Sequence, residues 1–108
     1  MDPVPKSPDA WLVLRVSGEI DIQTSPILDE GLRRAQGDGA SSIVVDLSDV
    51  TFLDSTGLSV LVTALKRGQS AGGGLRLASP RLNVQRVLEI TGLAEVFEVE
   101  PLPRPGGG

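Results

Sequence analysis

Apolar positions along the chain form short β-rich segments. These segments lie at residues 11–17, 42–47, 75–79 and 96–99. Residues 11–17 alternate loosely between apolar and polar and are predicted to stop at a turn over Gly18-Glu19-Ile20-Asp21. Residues 42–47 are almost continuously apolar, which predicts a central strand covered on both faces. Residues 96–99 alternate as expected of a short edge strand.

Between these segments, apolar residues recur at helical spacing. Thr24 or Ser25 can cap the first predicted helix, which ends at Gly37-Asp38-Gly39, and the second begins at Ser55. The apolar stripes of the three helices are Ile27, Leu28, Gly31, Leu32 and Ala35; Leu58, Leu61, Val62 and Leu65; and Val84, Val87, Leu88 and Thr91. Strand and helix alternate at crossover length, which predicts an α/β fold with a mostly parallel sheet of four to five strands and three to four helices.

A chain of 108 residues is expected to form one domain. Residues 1–10 are rich in proline and polar side chains, which predicts a flexible arm and leaves open whether it adds an edge strand. Residues 101–108 are proline and glycine for the most part, which predicts a disordered tail. The folded domain is therefore expected at residues 11–100.

Composition limits the chemistry available to the chain. Cysteine and histidine are absent, so thiolate chemistry, a histidine general base and His- or Cys-ligated metal sites are excluded within one chain, and no enzyme is expected. The net charge of -4 and the single Trp disfavour nucleic-acid binding. Without a signal peptide or a long apolar run, the expected location is the cytoplasm, with no membrane partner.

The turn at Asp54-Ser55-Thr56-Gly57 carries the strongest functional signal. Its simplest interpretation is structural: Asp54 or Ser55 is a helix N-cap, and Gly57 relieves crowding in the first turn. However, two adjacent hydroxyls stand where a cap needs one, and the apolar Phe52-Leu53 pair places the turn at the end of a buried strand. The carboxyl ends of strands in open α/β sheets are where ligands and partners bind.

The segment Asp46-Leu47-Ser48-Asp49-Val50, followed by Phe52-Leu53-Asp54-Ser55-Thr56-Gly57-Leu58, resembles the phosphoacceptor region of STAS domains in bacterial anti-sigma factor antagonists. Gly18-Glu19-Ile20-Asp21 resembles the Gly-Glu-Leu-Asp loop of that family. The resemblance covers about residues 11–100. It implies that Ser55 is the phosphoacceptor, with Thr56 as the alternative, and that the partner contacts Asp21, Asp54, Ser55, Thr56, Gly57 and Leu58.

The resemblance also implies a mechanism of partner switching. The unphosphorylated protein would bind an anti-sigma factor that is also a GHKL-type serine kinase, and so release a sigma factor. Phosphorylation of Ser55 would end that complex, and a PPM-type phosphatase would restore it. The expected state is a monomer or weak dimer without a cofactor or metal.

Other interpretations remain open at this point. The chain could be a STAS module that never switches, in a transport complex or signalling scaffold, or a module that binds a nucleotide or another small molecule at the strand ends. A magnesium site at Asp46, Asp49 and Asp54 lacks the paired acids and the lysine of a receiver domain. Arg33-Arg34 and Lys66-Arg67 are interpreted as solvated helix faces. Gly57 is also interpreted as a bare patch that a partner backbone can approach.

Overall fold

The computed structural model describes residues 2–3, 11–39 and 42–100. The predicted arm and tail otherwise lie outside these residues. The elements in chain order are β1 (Asp2–Pro3), β2 (Leu12–Ile20), α1 (Ser25–Gly37), β3 (Ser42–Leu53), α2 (Ser55–Ser70), β4 (Gly74–Ala78), α3 (Leu82–Ile90), α4 (Leu93–Val96) and β5 (Glu98–Glu100).

Four parallel strands and one antiparallel strand form a single sheet in the order β1-β2-β3-β4-β5. The α/β class and the central position of β3 are therefore confirmed. The edge strand that the sequence left open is present as β1, in which Asp2 and Pro3 pair with Arg15 and Leu14. Aliphatic side chains fill the core almost entirely, and Phe97 is the aromatic residue within it.

Strands β2 and β3 are both longer than the sequence pattern predicts. β2 continues through the predicted turn to Ile20, and β3 continues beyond the predicted residues 42–47 to Leu53. The two extensions pair with each other, from Ser17 opposite Asp49 to Ile20 opposite Leu53. Gly18 lies at a register shift with φ +82, a conformation that glycine adopts without a steric penalty. Pairing between distant segments thus overrides the local turn signals.

Two apolar residues are exposed: Ile27, from the apolar stripe predicted for the first helix, and Phe52, from the pair used to place the Asp54 turn. Ile27 is 61% exposed because the neighbouring Leu28 occupies the buried face of α1. Phe52 is 46% exposed, and only Leu53 of that pair is buried, because successive strand residues point to opposite faces. The Phe52-Leu53 pair therefore does not bury the strand end as a unit.

The C-terminal edge strand begins later than predicted. Gly92, at φ 77, follows α3 and precedes the single-turn helix α4, which contains Val96. Phe97 then inserts into the core, and the strand itself covers Glu98–Glu100. Val96 is the last residue of α4 and Phe97 is its C-cap, so neither residue belongs to the strand.

The basic pairs on the helices divide into two groups. Arg33 and Arg34 form ion pairs with Asp29 and Glu30 one turn earlier, and both are exposed, as predicted. Arg67 does not fit the prediction of a solvated face, since its side chain is 27% exposed and its Nε donates to Gln36 Oε1 at 2.8 Å. This contact joins α2 to α1, which a pattern local to α2 does not reveal.

Candidate functional site at the start of helix α2

The carboxyl ends of β2 and β3 are adjacent at this site. Ile20 pairs with Leu53, and the backbone N–H of Asp54 donates to the carbonyl of Ile20 at 3.1 Å. Asp21 and Asp54 are the next residues after these two strand ends. Asp21 and Asp54, which were both predicted to contact the partner, therefore lie at the same edge of the sheet.

Asp54 is the N-cap of α2. Its Oδ1 accepts hydrogen bonds from the backbone N–H groups of Thr56 at 2.9 Å and Gly57 at 3.3 Å, and from the Thr56 hydroxyl at 2.5 Å. The Thr56 hydroxyl is the main cause that holds the pKa of Asp54 below its ordinary value, while the backbone N–H groups also lower it and partial desolvation opposes them. The carboxylate is thus ionised at neutral pH and is engaged within its own turn.

Ser55 and Thr56 differ in the availability of their hydroxyl groups. Ser55 is the first residue of α2 and its side chain is exposed. Within the described part of the chain, no group is hydrogen-bonded to the Ser55 hydroxyl, whereas Thr56 is partly buried and bonded to Asp54. Of the two predicted acceptors, Ser55 is the one that a second protein can reach without breaking the cap.

Asp21 organises the turn between β2 and α1. Its Oδ1 accepts from the backbone N–H groups of Gln23 at 2.9 Å and Thr24 at 3.0 Å. The Thr24 hydroxyl accepts from the Asp21 N–H and donates to the Glu19 carbonyl at 2.7 Å, so Thr24 occupies the N-cap position without a side-chain cap bond. Asp21 therefore fixes the loop beside the α2 start in a defined shape.

Gly57 is buried and does not form a bare surface patch. A Cβ atom at this position would lie 2.5 Å from Leu53 Cδ1 and 2.7 Å from Ile20 Cγ2. Leu58 is also buried, at 6% exposure. The prediction that Gly57 offers a surface to a partner is wrong, because the helix start packs against the ends of β2 and β3. These two residues support the site from the core.

The electrostatic environment of Ser55 is acidic. The two segments that meet at this edge, residues 17–25 and 49–60, contain no Lys or Arg and include Glu19, Asp21 and Asp54. Among the described residues, no group of three or more acidic side chains is arranged to hold a metal ion. A negative group added at Ser55 would therefore find no counter-ion in these two segments.

Arg81 and Asn83 support the site, and the sequence pattern did not identify them. Pairing between β3 and β4 ends at Asp46 opposite Ala78, so the later part of β3 lacks that neighbour. There, Arg81 Nε donates to the Ser48 carbonyl at 2.9 Å and Asn83 Nδ2 donates to the Thr51 carbonyl at 2.8 Å. Both contacts span more than thirty residues, so only the folded chain reveals them.

A family model for the STAS domain matches residues 3–103. The chain belongs to the STAS domain family. A curated relative from Staphylococcus aureus (strain NCTC 8325 / PS 47), named anti-sigma-B factor antagonist, is 35% identical over 91 residues, which are 84% of this chain and 84% of that protein. The similarity thus extends over nearly the whole domain and includes the Ser55 turn within the matched range.

Solved structures agree with this assignment of the fold. An anti-sigma factor antagonist from Mycobacterium paratuberculosis superimposes with a TM-score of 0.78 at 31% identity, covering 94% of this chain and 86% of that one. SpoIIAA of Bacillus in its phosphorylated form has a TM-score of 0.67 at 19% identity, covering 91% of this STAS chain and 88% of that one, which shows a shared fold. No helix in the described ranges is long and apolar enough to cross a membrane.

Proposed function

We propose that this STAS domain is an anti-sigma factor antagonist that works by partner switching. In its unphosphorylated form it binds an anti-sigma factor that is also a GHKL-type serine kinase, and so releases a sigma factor. The observation that carries the proposal is the exposed, unbonded Ser55 hydroxyl at the start of α2, in a chain similar to proteins named anti-sigma factor antagonists. A PPM-type phosphatase would reverse the switch.

The chemistry required of Ser55 is simple. The partner kinase transfers the γ-phosphoryl group of ATP to Ser55 Oγ, ADP leaves, and the hydroxyl proton is lost. This chain supplies an accessible hydroxyl on a rigid helix start and no catalytic group. Thr56 is the poorer acceptor, since its phosphorylation would remove the hydroxyl proton that Asp54 accepts.

Electrostatics explain how one phosphate can end the complex. A phosphate group on Ser55 adds about -1.5 to -2 charge. Each unit of that charge, facing an acid of the partner about 6 Å away, costs roughly 3 kcal/mol at an effective dielectric of 20. A hundredfold loss of affinity requires only about 2.7 kcal/mol. Because the segments around Ser55 contain no Lys or Arg, the added charge is not neutralised there.

The fold is expected to survive the modification unchanged. Ser55 is at the N-terminus of α2, where the helix dipole favours negative charge, and its side chain is exposed. The switch therefore acts on the interface between the two proteins and leaves the core intact.

Co-expression with a candidate anti-sigma kinase, followed by intact mass spectrometry and site mapping, tests the proposal. We expect one added phosphate at Ser55, abolished in Ser55→Ala. Ser59→Ala is the matched control, because Ser59 is exposed one turn later on the same helix. A label that persists in Ser55→Ala and maps to Thr56 would move the acceptor by one residue. Stable binding to such a kinase without any phosphorylation would indicate the non-switching scaffold instead.

A further inference from the structure

Exposed apolar side chains are concentrated at the end of the molecule that carries Ser55. Among the described residues, the large apolar side chains that are exposed are Ile22, Ile27, Phe52, Leu82, Ile90 and Val96. The first four lie where β2 and β3 end or where α1 and α3 begin, whereas the last two end α3 and α4 at the opposite end of the sheet. Apolar side chains that group together on a surface mark a site of protein interaction.

Phe52 is the aromatic member of this group and lies three residues before Ser55. Its side chain is half exposed, while that of Leu53 beside it is buried. Three residues of chain span at most about 11 Å, so Phe52 and Ser55 fall within one protein interface, which covers about 800 Å² on each partner. Pairing with Glu19 of β2 fixes the backbone of Phe52. Aromatic side chains are enriched in the buried centres of such interfaces.

Ile22 and Leu82 lie near Phe52 at the same edge of the sheet. Ile22 is exposed in the hydrogen-bonded turn that follows β2, the strand paired with the end of β3. Leu82 is the exposed first residue of α3, and the next residue, Asn83, donates to the carbonyl of Thr51, which precedes Phe52. Three segments that are far apart in the sequence therefore place one apolar side chain each at this edge. We call Ile22, Phe52 and Leu82 the apolar edge.

The charged groups at this end do not account for binding of the unphosphorylated protein. Asp21 and Asp54 each accept two backbone hydrogen bonds within their own turns, so a partner would compete with these bonds. Residues 17–25 and 49–60 contain no Lys or Arg that could pair with acids of a partner. A partner that presented cations here would also attract a phosphate on Ser55, contrary to a switch that ends the complex. Burial of apolar surface is the source of affinity that fits both forms.

We propose that the apolar edge is the surface by which the unphosphorylated protein binds its anti-sigma kinase, with Phe52 as the central contact. This inference rests on the proposed function, because a kinase that reaches the Ser55 hydroxyl must also cover the side chains around it. The kinase surface that faces the apolar edge is therefore apolar. A phosphate on Ser55 would be enclosed beside this contact and would lose water without gaining a partner, which is unfavourable.

Calorimetric binding of the full chain to a candidate anti-sigma kinase tests the proposal, with ADP in place of ATP so that Ser55 stays unmodified. Phe52→Thr, which keeps a side chain suited to a strand, should weaken binding by about thirtyfold. Ile22→Thr and Leu82→Gln should each weaken it by about fivefold. Ile90→Gln is the matched control for Leu82→Gln, because Ile90 is 85% exposed at the other end of α3, and it should bind as the wild type does.

The melting temperature of each variant should stay near that of the wild type, because the substituted side chains are exposed. If Phe52→Thr melts markedly lower, Ile22→Thr decides the matter, since Ile22 lies outside the strands and helices. With ATP, the variants should raise KM for phosphorylation and leave kcat near its wild-type value, because the apolar contact is made equally before and during transfer.

Unchanged affinity in all three variants, with Ser55 still phosphorylated, would overturn this inference and leave the proposed function standing. Weaker binding by the three variants, with no phosphorylation of the wild type, would support the apolar edge and overturn the switch. Equal loss in Ile90→Gln would show that apolar surface in general, not this edge, binds the kinase. Sedimentation that shows a loss of self-association, with kinase binding unchanged, would assign the edge to a second copy of the chain and overturn the proposal.

Discussion

The two ends of the helix pair α1–α2 differ in how their charged side chains are hydrogen-bonded. At the N-terminal end, Asp21 and Asp54 accept hydrogen bonds from residues two or three positions later, so both acids are satisfied locally and the exposed Ser55 hydroxyl is left available. At the C-terminal end, Arg67 bonds to Gln36, thirty-one residues away, and two of its nitrogens have no hydrogen-bond acceptor in the described residues. A locally completed cap thus presents a modifiable group, whereas the contact between the two helices encloses the Arg67 guanidinium nitrogens.

The largest expected effect follows from charge placed at the N-terminal end. Ser55→Asp should weaken binding to the anti-sigma partner by about a hundredfold, because it adds a negative charge where the adjoining segments offer no cation. The free energy of unfolding should stay within about 1 kcal/mol, since an acid is tolerated at a helix N-terminus. Calorimetric binding and thermal melting measure the two effects. Ser59→Asp is the control, and equal loss in both variants would mean that Ser55 has no special position in the interface.

Adding a methyl group at Gly57, where the start of α2 packs against the strand ends, should destabilise the fold. Gly57→Ala should lower the free energy of unfolding by about 1–3 kcal/mol, because the new Cβ overlaps Ile20 and Leu53. Gly37→Ala, at the C-terminal end of α1, is the matched control; its Cβ would meet no atom within 4 Å, so stability should hold or rise. Chemical denaturation measures both changes. Unaltered stability of Gly57→Ala would show that Ile20 and Leu53 move aside, and the packing argument for the site would fail.

Removing the side chains that are hydrogen-bonded to the later part of β3 should lower local stability at the end of this strand and leave the rest of the chain unchanged. Arg81→Ala and Asn83→Ala each delete one hydrogen bond to a β3 carbonyl, which should cost about 0.5–1.5 kcal/mol. Hydrogen exchange should accelerate at residues 48–54 and not at residues 63–71. Arg86→Ala is the control, because Arg86 is an exposed arginine within α3. Uniform acceleration across the chain would contradict a local role for Arg81 and Asn83.

The smallest effect concerns the pH dependence of the Asp54 cap. Its pKa is lower in the folded protein than in the unfolded chain, so its ionisation stabilises the fold above the unfolded pKa, and this contribution is lost as the pH falls through the folded value. Asp54→Asn keeps a capping side chain but does not titrate, so the stability gap between the wild type and the variant should narrow on acidification. Denaturation at neutral and strongly acidic pH measures this gap. A gap that is constant with pH would show that the Thr56 hydroxyl bond does not favour the ionised form.

Local sequence determined most of the elements and the position of Ser55. Hydrophobic periodicity placed three helices and the central strand, and the Asp54-Ser55-Thr56-Gly57 pattern placed the start of α2, because caps and helical stripes depend on residues a few positions apart. The choice between Asp54 and Ser55 as the cap, and between Ser55 and Thr56 as the available hydroxyl, stayed open in the sequence. The hydrogen bonds of the folded turn identify the cap and the free hydroxyl.

Only the tertiary structure decided the features that depend on distant segments. The pairing of Ser17–Ile20 with Asp49–Leu53 converts the turn predicted at Gly18 into strand and lengthens β3 beyond its predicted end, because inter-strand hydrogen bonds outweigh the local preference for a turn. The burial of Gly57 beneath Ile20 and Leu53, and the position of Arg67 against Gln36, likewise arise where helices and strands meet. Periodicity shows which face of an element is apolar, but the atoms that the face meets belong to residues far away along the chain.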